Sequence, residues 1–154
     1  MFCYRPATWD DREWLLACRN DPVTRANSLE EGEIKRDEHE EWLTKSLQMT
    51  GRCLLIIERD RRKIGVLRFD EHGDQEVEVS IHLAPEERNK GYGQAILRES
   101  LTVATHWQPH TIALLAKIKK ANTPSLRSFQ SVGFVAIKDN GSLIWMRKTN
   151  DRTD

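Results

Sequence analysis

Arg88-Asn89-Lys90-Gly91-Tyr92-Gly93-Gln94 stands between an alternating apolar run and a helical one. Glycines on both sides of Tyr92 let the backbone bend tightly and let a ligand approach its N–H groups. The helix that follows presents unpaired donors and the positive end of its dipole. Such a turn suits an anion, and Arg88 and Lys90 add positive charge. Two familiar phosphate loops do not fit. A dinucleotide fingerprint needs glycine where Ile96 stands, and no Gly-Lys-Ser/Thr follows for a P-loop. By spacing alone the segment also suits a tight strand-to-helix turn that binds nothing.

Glu78, Ser80 and His82 form the polar face of the alternating run that precedes this turn. A carboxylate and an imidazole there have the chemistry of a general base, although each also fits a solvated strand. Asn122 and Ser125 flank Thr123-Pro124, and Lys117, Lys119 and Lys120 make a basic run just before them. Arg19, Asn20 and Arg25 lie near the first break in the chain, and guanidinium forks there match phosphate oxygens or pair with nearby acids. His39 and Trp42 share a helix face and read as packing. Trp9, Trp14, Trp107 and Trp145 read the same way. No His, Asp and Glu cluster has the spacing of a metal site.

The elements that must position these residues follow from periodicity. Thr8-Trp9-Asp10-Asp11 opens a helix that continues through Trp14, Leu15 and Cys18 until Asp21-Pro22 interrupts it. A second helix starts at Asp37. Arg52–Glu58 reads as a buried strand, Lys63–Asp70 as its return, and Glu76–Leu83 as a cleanly alternating third. A helix follows from Gly91 to about His106, then a strand over Thr111–Ala116. Thr123 caps a helix with Pro124 at its first position, Gly133 ends it, and Asp139-Asn140-Gly141 joins two closing strands. The expected class is α/β (α+β): one domain over residues 1–154, with a short tail from about 149. It holds a central mixed, mostly antiparallel sheet of about seven strands, flanked by about four helices.

Two spaced motifs and this order of elements resemble the GCN5-related N-acetyltransferases over nearly the whole chain. The first is Arg88-x-x-Gly91-x-Gly93 after an alternating strand; the second is Asn122, Ser125 and Phe129-Gln130-Ser131-Val132-Gly133-Phe134. The resemblance implies acetyl-CoA as co-substrate, its pyrophosphate held by the backbone of Arg88 to Gln94. It implies a sheet splayed between strands 4 and 5, with pantetheine bonding backbone near His82 and Leu83. It further implies an N–H, that of Leu83, aimed at the thioester oxygen, and Glu78 as the base that deprotonates the amine. Asn122, Ser125 and Phe129 fall on cofactor-binding positions. Many relatives carry a tyrosine where Phe129 stands, and its hydroxyl protonates the leaving thiolate. Phe129 cannot; with a thiol pKa near ~8.5 water can supply this proton at modest cost, and no residue is assigned as the acid.

The first 47 residues are similar to acetyltransferases acting on nucleotide-linked amino sugars, notably in the pseudaminic-acid pathway. They are less closely similar to those modifying ribosomal-protein amino termini. This implies a small-molecule amine acceptor, with Arg19, Asn20 and Arg25 on the substrate side. A non-catalytic acyl-CoA sensor is the competing reading that Phe129 keeps alive.

Composition removes other classes. Lys and Arg number 24 against 24 Asp and Glu, whereas nucleic-acid binding favours a basic surplus. No apolar run approaches the ~20 residues that span a bilayer, so no membrane partner is expected. Cys3, Cys18 and Cys53 show no pairing pattern and read as dispersed, reduced and mostly buried. With no secretory leader visible, the expectation is a cytoplasmic monomer or homodimer.

Overall fold

The structure is a computed structural model, and it describes residues 1–151. Its strands are β1 (Cys3–Pro6), β2 (Arg52–Arg59), β3 (Arg62–Gly73), β4 (Glu76–Leu83), β5 (Ala113–Lys119), β6 (Val135–Asp139) and β7 (Leu143–Thr149). The helices are α1 (Arg12–Asn20), α2 (Pro22–Asn27), α3 (Arg36–Gln48), α4 (Tyr92–Trp107) and α5 (Thr123–Ser131). Hydrogen-bonded strands follow the order β1-β2-β3-β4-β5-β7-β6. The expected mixed, mostly antiparallel sheet is therefore present, with β4 and β5 as the parallel pair.

Two compact units make up the chain: Met1–Arg68 with Ile81–Lys90, and Phe69–Ser80 with the chain from Gly91 onward. In the first, Leu54 to Ile57 are all buried, which is why β2 reads as a continuous apolar run. Ala7, Leu15, Leu43, Ile56 and Val66 pack into one cluster, with Trp14 and Trp42 against it. Asp11 is the polar centre of this unit. Only 2% exposed, it accepts from Arg5 Nη2 and from Lys63 Nζ, both at 2.8 Å, so the start of α1 is tied to β1 and β3.

In the second unit Val77, Ile96, Leu114, Phe134 and Met146 are fully buried, and Trp107 stacks on Phe69. The β4–β5 ladder covers only Glu76–Glu78 against Ala113–Leu115, although both strands continue beyond it. The Asp139–Gly141 hairpin forms as expected: Gly141 has φ 94°, and Asn140 Oδ1 accepts from the N–H groups of Ser142 and Leu143.

Three sequence expectations are corrected. Asp21-Pro22 does not merely interrupt a helix. Asp21 Oδ2 accepts from Thr24 N at 3.1 Å and Pro22 takes the first helical position, so a fifth helix, α2, begins there. The cap of α5 is Asn122, whose Oδ1 accepts from Ser125 N at 3.3 Å, and Thr123 is already helical. Strand β7 ends at Thr149, and residues 152–154 of the expected tail lie outside the described residues. Cys3 is exposed, Cys53 half-buried and Cys18 buried, and all three are free thiols.

Candidate functional site

The turn from Ala84 to Gln94 is built by backbone geometry. Pro85–Glu87 form one turn of 3-10 helix, and Arg88 returns to extended backbone. Asn89 (φ 62°) and Gly91 (φ 79°) then adopt left-handed conformations. Gly91 caps α4, and the first intrahelical closure shown is Ala95 N–H onto Gly91 O at 3.2 Å. A Cβ on Gly91 would meet nothing within 4 Å, so glycine is favoured there by its φ and not by crowding. Left-handed Asn89 and Gly91 thus stand immediately ahead of the 16-residue helix α4, and a helix start of this kind can receive an anion on its backbone N–H groups.

The cationic side chains of the turn are otherwise engaged. Arg88 Nη2 donates to Asp21 Oδ2 and to Thr24 Oγ1, each at 2.8 Å, and so pins the α1–α2 corner. Lys90 Nζ lies 3.2 Å from Glu87, a buried carboxylate that Arg62 also approaches at 3.5 Å. Backbone N–H groups therefore remain as the principal donors for an anion here.

His82 lies near the end of β4. Burial, followed by the positive field of Arg68, Arg19 and Arg88, pushes its imidazole down to about 4. So low a basicity makes the ring a feeble proton acceptor, which weakens the alternative of His82 as base. Its carbonyl approaches β3 closely: a Cβ on Gly65 would sit 2.7 Å from His82 O. Ala84 N–H donates to Ile64 O at 2.9 Å, so the backbone beside Leu83 is held firmly in place.

Arg19, Asn20 and Arg25 share one local task. Asn20 exchanges two 2.8 Å bonds with the backbone of Ile34, Arg19 Nη2 donates to Glu30 O at 2.6 Å, and Arg25 Nε donates to Glu31 O at 3.0 Å. Together they strap residues 30–34 to α1 and α2. A cavity of about 330 Å³ opens beside this corner, lined by Trp14, Cys18, Asn20, Asp21, Ala84 and Pro85 among others. Burial pushes the Cys18 thiol up to about 11, so it is not a nucleophile.

In the second unit Glu78 Oε1 lies 3.8 Å from Lys117 Nζ, and Glu76 accepts from Arg147 at 2.7 Å. Glu76 is thereby a cross-strand ion pair, and Glu78 is the more loosely held carboxylate. Lys120 pairs with Asp139 at 2.9 Å. Phe129 is 3% exposed, edge-on to Phe134 with centroids 4.9 Å apart. Its ring presents an apolar wall with no proton to give. Among the described residues no cluster of His, Cys, Asp and Glu could hold a metal, and no helix is long and apolar enough to cross a membrane.

Sequence reasoning placed the turn and the strand before it. It missed the partners of Arg88, the role of Gly65 and the charges around His82. None of these leaves a local signal, since Asp21 and Arg88 are 67 positions apart.

Residues 2–135 match the family model described as an acetyltransferase (GNAT) domain. No curated protein matches in sequence. Among solved structures, spermidine N-acetyltransferase from Vibrio cholerae, in complex with CoA and spermine, is similar at TM-score 0.86 and 17% identity, over 96% of this chain and 95% of that one. A putative phosphinothricin N-acetyltransferase is similar at TM-score 0.80 and 22% identity, over 99% and 100%. Ribosomal-protein-alanine N-acetyltransferase from Brucella melitensis is similar at TM-score 0.75 and 24% identity, over 96% and 99%. At these identities the likeness is one of fold.

Proposed function

Because the chain belongs to the GNAT acetyltransferase family, and is thereby an N-acetyltransferase with acetyl-CoA as donor, we propose that residues 1–154 act as one domain acetylating a small anionic amine, a nucleotide-linked amino sugar. The turn carries this reading: with left-handed Asn89 and Gly91 ahead of α4, the Arg88 and Lys90 side chains already paired and the Arg88 N–H given to Pro85 O at 3.4 Å, the backbone N–H groups of Asn89 to Gln94 receive the pyrophosphate. The Leu83 N–H is the donor to the thioester oxygen as charge develops on it, and the His82 segment receives pantetheine. Glu78 takes the proton of the attacking amine, directly or through water. Asn122, Ser125 and Phe129 contribute the remaining cofactor contacts, Phe129 as an apolar surface. Water protonates the departing thiolate. A 4-amino sugar on a nucleoside diphosphate is anionic and carries an amine of lowered basicity, so a single carboxylate suffices as base.

The fold likeness to the ribosomal-protein-alanine enzyme favours one second reading, an amino-terminal peptide as acceptor. Two measurements test the proposal. Titration calorimetry with acetyl-CoA is expected to show saturable binding that Gly93→Val abolishes while the variant stays folded by circular dichroism. Unchanged affinity removes the pyrophosphate assignment. Incubation with acetyl-CoA and either UDP-4-amino sugars or amino-terminal peptides is expected to acetylate the sugars. Robust acetylation of peptides with none of the sugars overturns the choice of acceptor.

A further inference from the structure

In the second unit the sheet has two unlike faces. Leu114, Ala116 and Ile118 of β5 and Met146 of β7 share one face, and all are buried. Glu78 of β4, Lys117 of β5, Trp145 of β7 and Lys138 of β6 share the other, and none of the four is buried. Register sets them in a row. Lys117 and Lys138 are the cross-strand partners of Trp145 on its two sides. Glu78 pairs with Leu115, on the same strand face as Lys117, and its Oε1 lies 3.8 Å from Lys117 Nζ. Side chains directly opposite on neighbouring strands stand within reach of one another.

Trp145 is the unusual member of this row. Its type suggests packing, yet it is only half-buried, between two exposed lysines. Lys138 Nζ lies 4.7 Å from the centroid of its ring. An exposed ammonium gains less over an indole than a stacked base does. A register shift between Ala136 and Lys138 makes this arrangement, because in unbroken register Ile137 would stand opposite Trp145. Such bulges re-aim side chains, and this one brings a cation to the ring where an apolar residue was due. Nearby acids are engaged elsewhere: Arg147 approaches Glu76 at 2.7 Å, and Lys120 approaches Asp139 at 2.9 Å.

We propose that this row is a nucleoside-diphosphate subsite for the acceptor, with the base stacked on Trp145 and the phosphates paired with Lys138 and Lys117. The base displaces the Lys138 ammonium from the ring, and that flexible side chain swings to a phosphate oxygen. Glu78, at the other end of the row, is left to the amine. The strands run in the order β4-β5-β7-β6. At roughly 4.8 Å per strand, Glu78 and Lys138 stand on strands about 14 Å apart, the scale of an extended nucleoside-diphosphate sugar. That the nucleotide belongs to the acceptor rests on the amino-sugar reading; the nucleotide site itself does not.

The test has two arms. In the first, protein saturated with CoA, so that the cofactor's own nucleotide site is filled, is titrated with UDP, uridine and inorganic pyrophosphate. The indole N–H signal of Trp145, assigned through Trp145→Phe, is followed by NMR. UDP is expected to shift it saturably and to bind more tightly than pyrophosphate or uridine. Lys138→Gln, at an exposed position, is expected to weaken UDP roughly tenfold while the variant stays folded. No saturable shift, UDP binding no tighter than pyrophosphate, or unchanged UDP affinity in Lys138→Gln overturns the proposal.

In the second arm, acetyl transfer to a UDP-4-amino sugar is compared with transfer to the free 4-amino sugar. Lys138→Gln and Trp145→Leu are expected to raise the KM of the UDP-sugar roughly tenfold, with kcat changed by less than about threefold. The free sugar, which does not reach Trp145, is expected to react alike in parent and variants. A UDP-sugar acetylated no better than the free sugar overturns the proposal. Turnover of neither, with the UDP shifts intact, supports the site and counts against the amino-sugar reading alone.

Discussion

Glu78 and Lys117 sit 3.8 Å apart, with the Glu78 side chain 23% exposed, so the carboxylate is neither fully solvated nor locked. Glu76, on the same strand face, differs because Arg147 approaches it at 2.7 Å and 2.9 Å through two nitrogens. A base must release its partner to take a proton, and of the two only Glu78 is held loosely enough. Glu78→Gln is therefore expected to lower kcat/KM by about 10²-fold at a pH where the amine is protonated. The loss shrinks as pH rises through the amine pKa, because free amine then needs no base. A pH–rate profile parallel to that of the parent would remove Glu78 from the mechanism. Glu76→Gln serves as the control, with a small effect on rate at any pH.

At the scale of elements, β1, the start of α1 and β3 are joined by one carboxylate. Asp11 is held by the Arg5 and Lys63 side chains, and Thr8 N–H donates to it at 2.8 Å. The hydrogen bond from Arg5 is the largest influence holding the Asp11 carboxyl well below the usual carboxylate range, against the opposing effect of burial. A depressed folded-state pKa makes the contribution fully present above the unfolded value near ~3.9. It is lost as pH falls from there through the folded value. Asp11→Asn is expected to destabilise the protein by about 2 kcal/mol at pH 7, since charged hydrogen bonds to partly exposed partners are replaced by weaker ones. Urea unfolding at pH 7, 5 and 3 checks the sign. The gap between parent and variant should stay constant down to about pH 5 and narrow toward pH 3. A gap that is unchanged at pH 3 contradicts the assignment.

For the whole molecule, a cofactor that binds only the folded chain must raise its melting temperature. At acetyl-CoA a hundredfold above its Kd the gain is about 2.7 kcal/mol, or roughly 5–11 °C for a chain of this length. Differential scanning calorimetry with and without acetyl-CoA measures it, and Gly93→Val should abolish the shift. An equal shift in the variant would place the cofactor elsewhere.

Much of this molecule is legible along the chain. Strand β4 falls on Glu76–Leu83 as read, because its alternation is a local property that the two faces of a sheet enforce. The turn before α4 is legible because left-handed backbone favours glycine and because a helix start has a dipole in any context. Where local signals compete, the reading slips by a residue or an element. Pro22 breaks one helix and starts another, and Asn122 takes the cap from Thr123 through its longer reach to Ser125 N. The charges are a different matter. Arg88 and Lys90 look like phosphate ligands in the sequence, yet Asp21 and Glu87 claim them. Arg19 looks like one arginine among many, yet its Nη1 is buried and unanswered. Periodicity and backbone preference act between neighbours, so the sequence alone determined the elements and the glycine turn before α4. Ion pairing and desolvation act between residues tens of positions apart, so only the tertiary structure decided which carboxylates claim which cations.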